Sequence, residues 1–256
     1  MKGFRQSLLS AFGWEYAYSA DWGTLHRLFI RLFGIVDLPL RIRARAVLAV
    51  LAIESTEGVL DVGAGTGVFA FCLTRDPRCR AMALDIDARR VGMIKSVARC
   101  LGRGELSAVC GDEQALTSLP AGEFSTVLAV EVLQYCSNLP LMLRQLQERL
   151  RPGGVLIAHV PIRDTLWPFE KSLFSDAALE ELVTGAGLGK PQIRKTFGRS
   201  ALALCAIFSW CVARPVVLAA VYPLLLLAIA LTPTFVEQGE YRLVVARKPF
   251  MATEDQ

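Results

Sequence analysis

The sequence predicts an α/β fold built on a parallel sheet, and three observations predict it. From Gly58 onward, short β-branched runs alternate with helical stretches, the pattern of strands joined by crossover helices. One of these runs, Val59–Val62, passes directly into three alternate glycines and then a helical stretch. The chain has 256 residues, 53% of them hydrophobic and 20% charged, which suits a packed core and excludes a disordered chain.

Composition narrows the function classes. A net charge of +4 with no Lys/Arg-rich run gives no footprint for nucleic acid. The cysteines (Cys72, Cys79, Cys100, Cys110, Cys136, Cys205 and Cys211) form no CxxC pair and are odd in number. Neither a metal site nor a secreted disulfide framework is expected, and the thiols read as reduced, packed side chains. Lys2 and Arg5 begin the chain, but Glu15 and scattered aromatics interrupt any apolar leader core. A cleaved signal peptide is disfavoured, and a reducing, cytosol-facing location is expected.

Residues 1–57 read as a basic, amphipathic helical cap. Leu25, Leu28, Phe29, Leu32 and Phe33 follow the spacing of one helical face, with Arg27 and Arg31 off its centre. A second helix is predicted from Arg41 to Glu54, with Arg41, Arg43 and Arg45 near its start. Trp14, Tyr16, Tyr18 and Trp22 precede both. Aromatics beside arginines suit a helix lying on a membrane surface, and they equally suit a cap over a cleft.

The sheet core is assigned to residues 58–200 together with 239–250. Strands are predicted at Val59–Val62, Arg80–Asp85, Glu105–Cys110, Phe124–Val130, Val155–Val160, Ile193–Phe197 and Tyr241–Arg247. Helices are predicted at Val68–Arg75, Ala88–Leu101, Leu139–Leu150 and Asp176–Ala186, the last capped by Ser175 and ended at Gly187. The loop Gly63-Ala64-Gly65-Thr66-Gly67 lets the backbone turn tightly and lets a ligand approach. The helix that follows offers unpaired N–H groups at its positive end. Val68 stands where a dinucleotide fingerprint places its third glycine, and Asp85 closes the second strand, where a carboxylate accepts ribose hydroxyls. The loop therefore suits an adenosine-type ligand without a pyrophosphate.

These residues resemble the class I S-adenosylmethionine-dependent methyltransferases of the small-molecule or lipid type. Val59–Gly67 (VLDVGAGTG) is similar to that family's glycine-rich motif, and Ala83–Asp87 (ALDID) to its acidic second-strand motif. Cys110-Gly111-Asp112, Phe124–Tyr135 and Leu150–Gly154 (LRPGG) resemble the third-strand motif, the fourth-strand motif and the turn before the fifth strand. The resemblance spans roughly residues 55–200 and implies a Rossmann-like, seven-stranded sheet with helices on both faces. It implies S-adenosylmethionine as cofactor. By position, Asp61, Gly63, Ala64, Gly65 and Gly67 would hold its methionine end, Asp85 its ribose, and Ile86 would pack beside the adenine. Asp112 and Glu113 would lie at the adenine edge, and Glu131 near the methionine side. Two departures stand out: Ser125 where many relatives carry aspartate, and Gln134-Tyr135 in place of a frequent Glu-His pair.

Methyl transfer from a sulfonium depends mainly on in-line placement, and a hydroxyl acceptor adds the need for a base. His159, near the end of the fifth strand, Glu131 and Tyr135 are the candidate catalytic residues, with His26 a weaker one.

The remaining apolar sequence is concentrated in residues 201–235. Ala201–Ala213 and Val216–Leu231 are separated by Arg214-Pro215, and each is shorter than the roughly 20 residues that span a bilayer as a helix. A single crossing would also separate the flanking strands, which must share one sheet. The block is therefore expected to enter and return as a helical hairpin, shallow in a membrane surface; a buried subdomain or an interface is the competing reading. Arg194, Lys195 and Arg199 stand ready for anionic lipid heads. The expected protein is a methyltransferase at the cytosolic face of a membrane, acting, by preference through O-methylation, on a lipophilic, lipid-like or lipid-linked acceptor. A fold-retaining scaffold without catalysis and a nicotinamide-dependent oxidoreductase are the alternatives.

Overall fold

The computed structural model describes residues 12–54, 57–162 and 175–250. Residues 1–11 of the expected cap, with Lys2 and Arg5, lie outside the described residues. A 3-10 turn (Trp14–Tyr18) leads to α1 (Thr24–Phe33) and α2 (Leu38–Leu51). Then come β1 (Gly58–Val62), α3 (Val68–Leu73), β2 (Arg80–Asp85), α4 (Ala88–Cys100), β3 (Leu106–Cys110), α5 (Glu113–Thr117) and β4 (Phe124–Val130). After α6 (Leu139–Arg149) and β5 (Leu150–Pro161) follow α7 (Asp176–Gly185), β6 (Gln192–Thr196), α8 (Arg199–Val212), α9 (Pro215–Leu231) and β7 (Tyr241–Arg247).

The seven strands form one sheet in the order β3-β2-β1-β4-β5-β7-β6, with β7 antiparallel to both neighbours. The order reverses between β1 and β4, the crevice where open α/β sheets bind ligands. Period-two alternation builds a core on each face. Val59, Leu128, Val130 and Ile157 pack against α2, α3 and α4, while Leu60, Val127, Ala129 and Leu156 pack against α6 and α7. Ser175 caps α7 by accepting from Ala178 N at 3.1 Å, as its position predicts.

Two details differ from expectation. Leu150–Gly154 is a bulge inside β5 rather than a turn before it, since Leu150 pairs with Phe124 and Val155 with Thr126. Gly153 turns the bulge with φ of 74°, and a Cβ there would lie 2.4 Å from the Phe250 ring. The short α5 has too few residues to show periodicity; Asp112 starts it by capping the amides of Gln114 and Ala115 at 2.9 and 3.3 Å.

The apolar block forms the expected helical hairpin, broken at Arg214-Pro215. Arg214 leaves helical geometry at φ −133°, and Pro215 opens α9. No described helix is long and apolar enough to cross a membrane. One side of the hairpin packs on the cap in a third core. Tyr222 lies against Phe29 and Phe33, and its hydroxyl donates to the Val36 carbonyl at 3.0 Å. Replacing Tyr222 by phenylalanine should cost about 1 kcal/mol, the net worth of one such bond, read as a lower melting temperature; an unchanged melting temperature would contradict this docking.

The N-terminal stripe is only partly buried. Phe29 and Phe33 dock on α9, while Leu25, Leu28 and Leu32 remain exposed. The aromatics divide likewise. Tyr16 is fully buried against Phe71 and Trp22, whereas Tyr18 is exposed. Buried Glu15 pairs with Arg75 at 2.8 Å and ties this segment to the turn after α3.

Candidate active site

The glycine loop needs glycine for reasons of backbone geometry. Gly63, Gly65 and Gly67 all have positive φ, at 64°, 56° and 69°. Side chains at Gly63 and Gly67 would collide with Val132 and Ile94, whereas the nearest atom to a Cβ at Gly65 would be Arg90 Nη1, 3.9 Å away. The loop is thus packed from behind and free in front, the shape of a cradle for a ligand.

Asp85 is buried at the end of β2 with both carboxylate oxygens oriented. Oδ2 accepts from Gly65 N at 2.6 Å and Oδ1 from Asp87 N at 2.9 Å. Each oxygen keeps a further lone pair for a ligand hydroxyl. Beside it lies a cavity of about 330 Å³ lined by Gly63, Asp85, Ile86, Asp112, Glu113 and Tyr135, among others. Ile86 and Tyr135 are large apolar side chains left exposed, 75% and 63%, on this cavity. They suit a flat ring between them, with Asp112 and Glu113 at its edge. Burial and the Glu113 carboxyl raise the thiol of Cys136, on the same wall, to about 12, so it stays protonated.

Asp61 lies in β1 two residues before Gly63, and its Oδ2 is buried with no hydrogen-bond partner among the described residues. Burial raises its carboxyl to about 7, opposed by the Ala70 backbone. An orphaned acidic oxygen beside the loop fits an amino group, as the methionine end of S-adenosylmethionine would supply. Because this acid is raised above its ordinary value of about 4, the folded protein holds the proton longer, and stability falls as pH rises toward 7. Between pH 5 and 8 the ligand-free protein should lose roughly 2–3 kcal/mol more than its Asp61→Asn variant, measured by denaturant unfolding. Parallel pH profiles would contradict the assignment.

A second cluster adjoins the crevice. Glu131 follows β4 in a left-handed conformation, φ 59°, and its neighbour Val132 lines the cavity. Glu131 Oε1 meets His159 Nδ1 at 2.8 Å, and Oε2 accepts from Gln134 Nε2 at 3.3 Å. His159 Nε2 meets Thr196 Oγ1 at 2.9 Å. His159 is fully buried, stacked on Tyr241, and burial lowers its pKa, so it is neutral at pH 7. With Nδ1–H donating to the carboxylate, Nε2 accepts from the Thr196 hydroxyl. Both ring nitrogens are occupied, so His159 orients Glu131 and does not itself reach the cavity. Tyr135 lies on the cavity wall, and His26 lies against Trp22 at the surface, the two rings tilted by 31°. Sequence reasoning missed Arg43 and Thr196, the two further members of this cluster. Arg43 comes from α2, with its Nε 3.6 Å from Glu131 Oε1. No group of acidic, histidine or cysteine residues suited to a metal ion occurs among the described residues.

Residues 60–158 match the methyltransferase domain family. Malonyl-(acyl-carrier protein) O-methyltransferase of Methylovorus is 29% identical over 163 residues, 59% of this chain and 54% of that protein. Trans-aconitate 2-methyltransferase of Pseudomonas paraeruginosa is 32% identical over 168 residues, 60% of this chain and 54% of that protein. The chain spans about half the length of these curated relatives. Phosphoethanolamine N-methyltransferase 2 of Haemonchus contortus, solved with S-adenosyl-L-methionine, shares the fold with a TM-score of 0.57 at 15% identity, covering 79% of this chain and 52% of that one.

Residues 60–158 carry a methyltransferase domain, of the S-adenosylmethionine-dependent class that the motifs predict. The cofactor of that domain is S-adenosylmethionine, and the glycine cradle, Asp85 and the orphaned Asp61 oxygen fit it.

Proposed function

We propose that the protein methylates an oxygen of a lipid-like or lipid-linked small molecule at the cytosolic surface of a membrane. When bound, the cofactor supplies a methyl group already activated on a sulfonium. Asp61, Gly63, Ala64, Gly65 and Gly67 hold its methionine end, and Asp85 holds the ribose. Ile86 and Tyr135 flank the adenine, with Asp112 and Glu113 at its edge. Glu131 takes the acceptor proton, and His159 is a positioning residue that holds its carboxylate. One relative, the malonyl-(acyl-carrier protein) methyltransferase, is named as an O-methyltransferase, which supports an oxygen acceptor.

The observation that supports a membrane surface is apolar exposure on elements whose other sides are packed. Val216 and Leu231 on α9 are 83% and 72% exposed, and Leu25 on α1 is 84% exposed. Trp210 lies beneath the Arg214 guanidinium at 4.1 Å, an aromatic-arginine pair at the hairpin turn. At 17 residues, α9 is about 25 Å long, short of the roughly 30 Å hydrocarbon core, which favours a shallow, in-plane hairpin. A leucine moved from water into the lipid boundary contributes roughly 1.5–3 kcal/mol. The test is flotation with phosphatidylglycerol-phosphatidylcholine vesicles. The full chain should float, less so in high salt, and the pair Leu25→Glu/Leu231→Glu should weaken binding by about 100-fold or more. Equal flotation of the folded variant would count against this face.

A further inference from the structure

Three arginines occupy alternate positions of α2, and two are committed to holding the hairpin. Arg41 Nε donates to the Ile35 carbonyl at 2.9 Å, and its guanidinium lies over the rings of Phe12 and Tyr222. Arg45 donates to the Ile229 and Pro233 carbonyls and the Thr232 hydroxyl at the end of α9. Residues four apart share a helix face, so these two point the same way. Arg43, about 200° around the helix from each, points instead to the end of β4.

There its Nε lies 3.6 Å from Glu131 Oε1, an ion-pair distance beyond a hydrogen bond. That Nε is buried and has no hydrogen-bond partner among the described residues. Glu131 is already held by His159 and Gln134, so Arg43 is not needed to fix it. The two side chains each remain 15% exposed, and Val132, next to Glu131 in the chain, lines the cavity. A guanidinium with an unused donor beside an oriented carboxylate is an arrangement for an O–H group that ionises.

We propose that Arg43 and Glu131 together bind the reacting hydroxyl of the acceptor, and that this hydroxyl is acidic, a phenol or an enol. The inference rests on the methyltransferase reading and names the acceptor class for that same site. The O–H bond breaks, its proton passes to a Glu131 oxygen, and the electron pair stays on the acceptor oxygen, held by guanidinium N–H groups. A neighbouring cation lowers an acid's pKa by about 1–3 units, which brings a phenol of about 10 within reach of neutral pH. An aliphatic alcohol stays far out of reach, and a cationic amine is repelled by Arg43.

The test uses p-nitrophenol, whose phenolate is coloured, with the full chain saturated by S-adenosylhomocysteine so that no transfer occurs. Wild type should bind the probe saturably and shift its ionisation down by about one unit or more from the free value. Arg43→Gln should abolish that shift and leave p-nitroanisole binding unchanged, while Arg43→Lys should retain part of it. If Arg43 only balanced the Glu131 charge, Arg43→Gln would lower the melting temperature without moving the ionisation, and the proposal would be overturned. Absence of saturable binding, or of a downward shift, in wild type overturns it equally, whether or not the glutamine variant folds. S-adenosylhomocysteine binding is measured in every sample. Its loss in wild type would defeat the methyltransferase reading itself, whereas its retention with an unshifted probe defeats only the acceptor assignment.

Discussion

Replacing Asp85 by alanine should weaken S-adenosylmethionine binding by about 100-fold or more. Hydrogen bonds to a charged group contribute roughly 1.5–3 kcal/mol each, and Asp85 offers one remaining lone pair per oxygen to a ribose. The substitution also removes the acceptor of the Gly65 amide, 2.6 Å from Oδ2, so the cradle loses its tether to β2. Calorimetric titration measures the effect, with circular dichroism to show that the variant is folded. Affinity within a few-fold of wild type would place the ribose elsewhere and remove the basis for reading the cavity as an adenosine site.

A large effect on folding is expected at Gly63. A Cβ there would lie 2.2 Å from Val132 Cγ2, and the backbone is left-handed at φ 64°. The left-handed conformation costs about 1–2 kcal/mol for a residue with a side chain, and overpacking adds about 1–3. Gly63→Ala should therefore destabilise the protein by about 2–5 kcal/mol in denaturant unfolding. Shortening the neighbour in the double variant Gly63→Ala/Val132→Ala should recover the steric part and leave the conformational part. A glycine substitution as costly with Val132 shortened as without it would show that the clash is not the cause.

Much of the cofactor side was legible because it is local in sequence. Val59–Gly67 contains strand, turn and helix start together, and Asp85 ends the adjacent strand. The hairpin was legible as well, because a proline after Arg214 can break an apolar run in only a few ways. The acceptor side was not, because it is assembled by topology. Glu131 follows β4, His159 lies in β5, and Thr196 comes from β6 across β7, opposite Tyr241. Arg43 arrives from the cap. In the sequence Arg43 stands with Arg41 and Arg45 near the start of a helix, and nothing there identified Glu131 as the group it faces. The amphipathic stripe of α1 misled in another way. It marks an apolar face without saying how much of it the protein covers, and here only the Phe29 and Phe33 side is covered.

The central claim is methyl transfer to a lipophilic acceptor, and the most direct test follows the methyl group. The full chain is incubated with tritium-labelled S-adenosylmethionine and membrane lipid extract, then partitioned between water and organic solvent. Label is expected in the organic phase, in a product that resists mild base as a methyl ether does and a methyl ester does not, and it is lost with Asp85→Ala. Label confined to water-soluble products would contradict the lipophilic acceptor, and no label from protein that binds the cofactor would contradict catalysis.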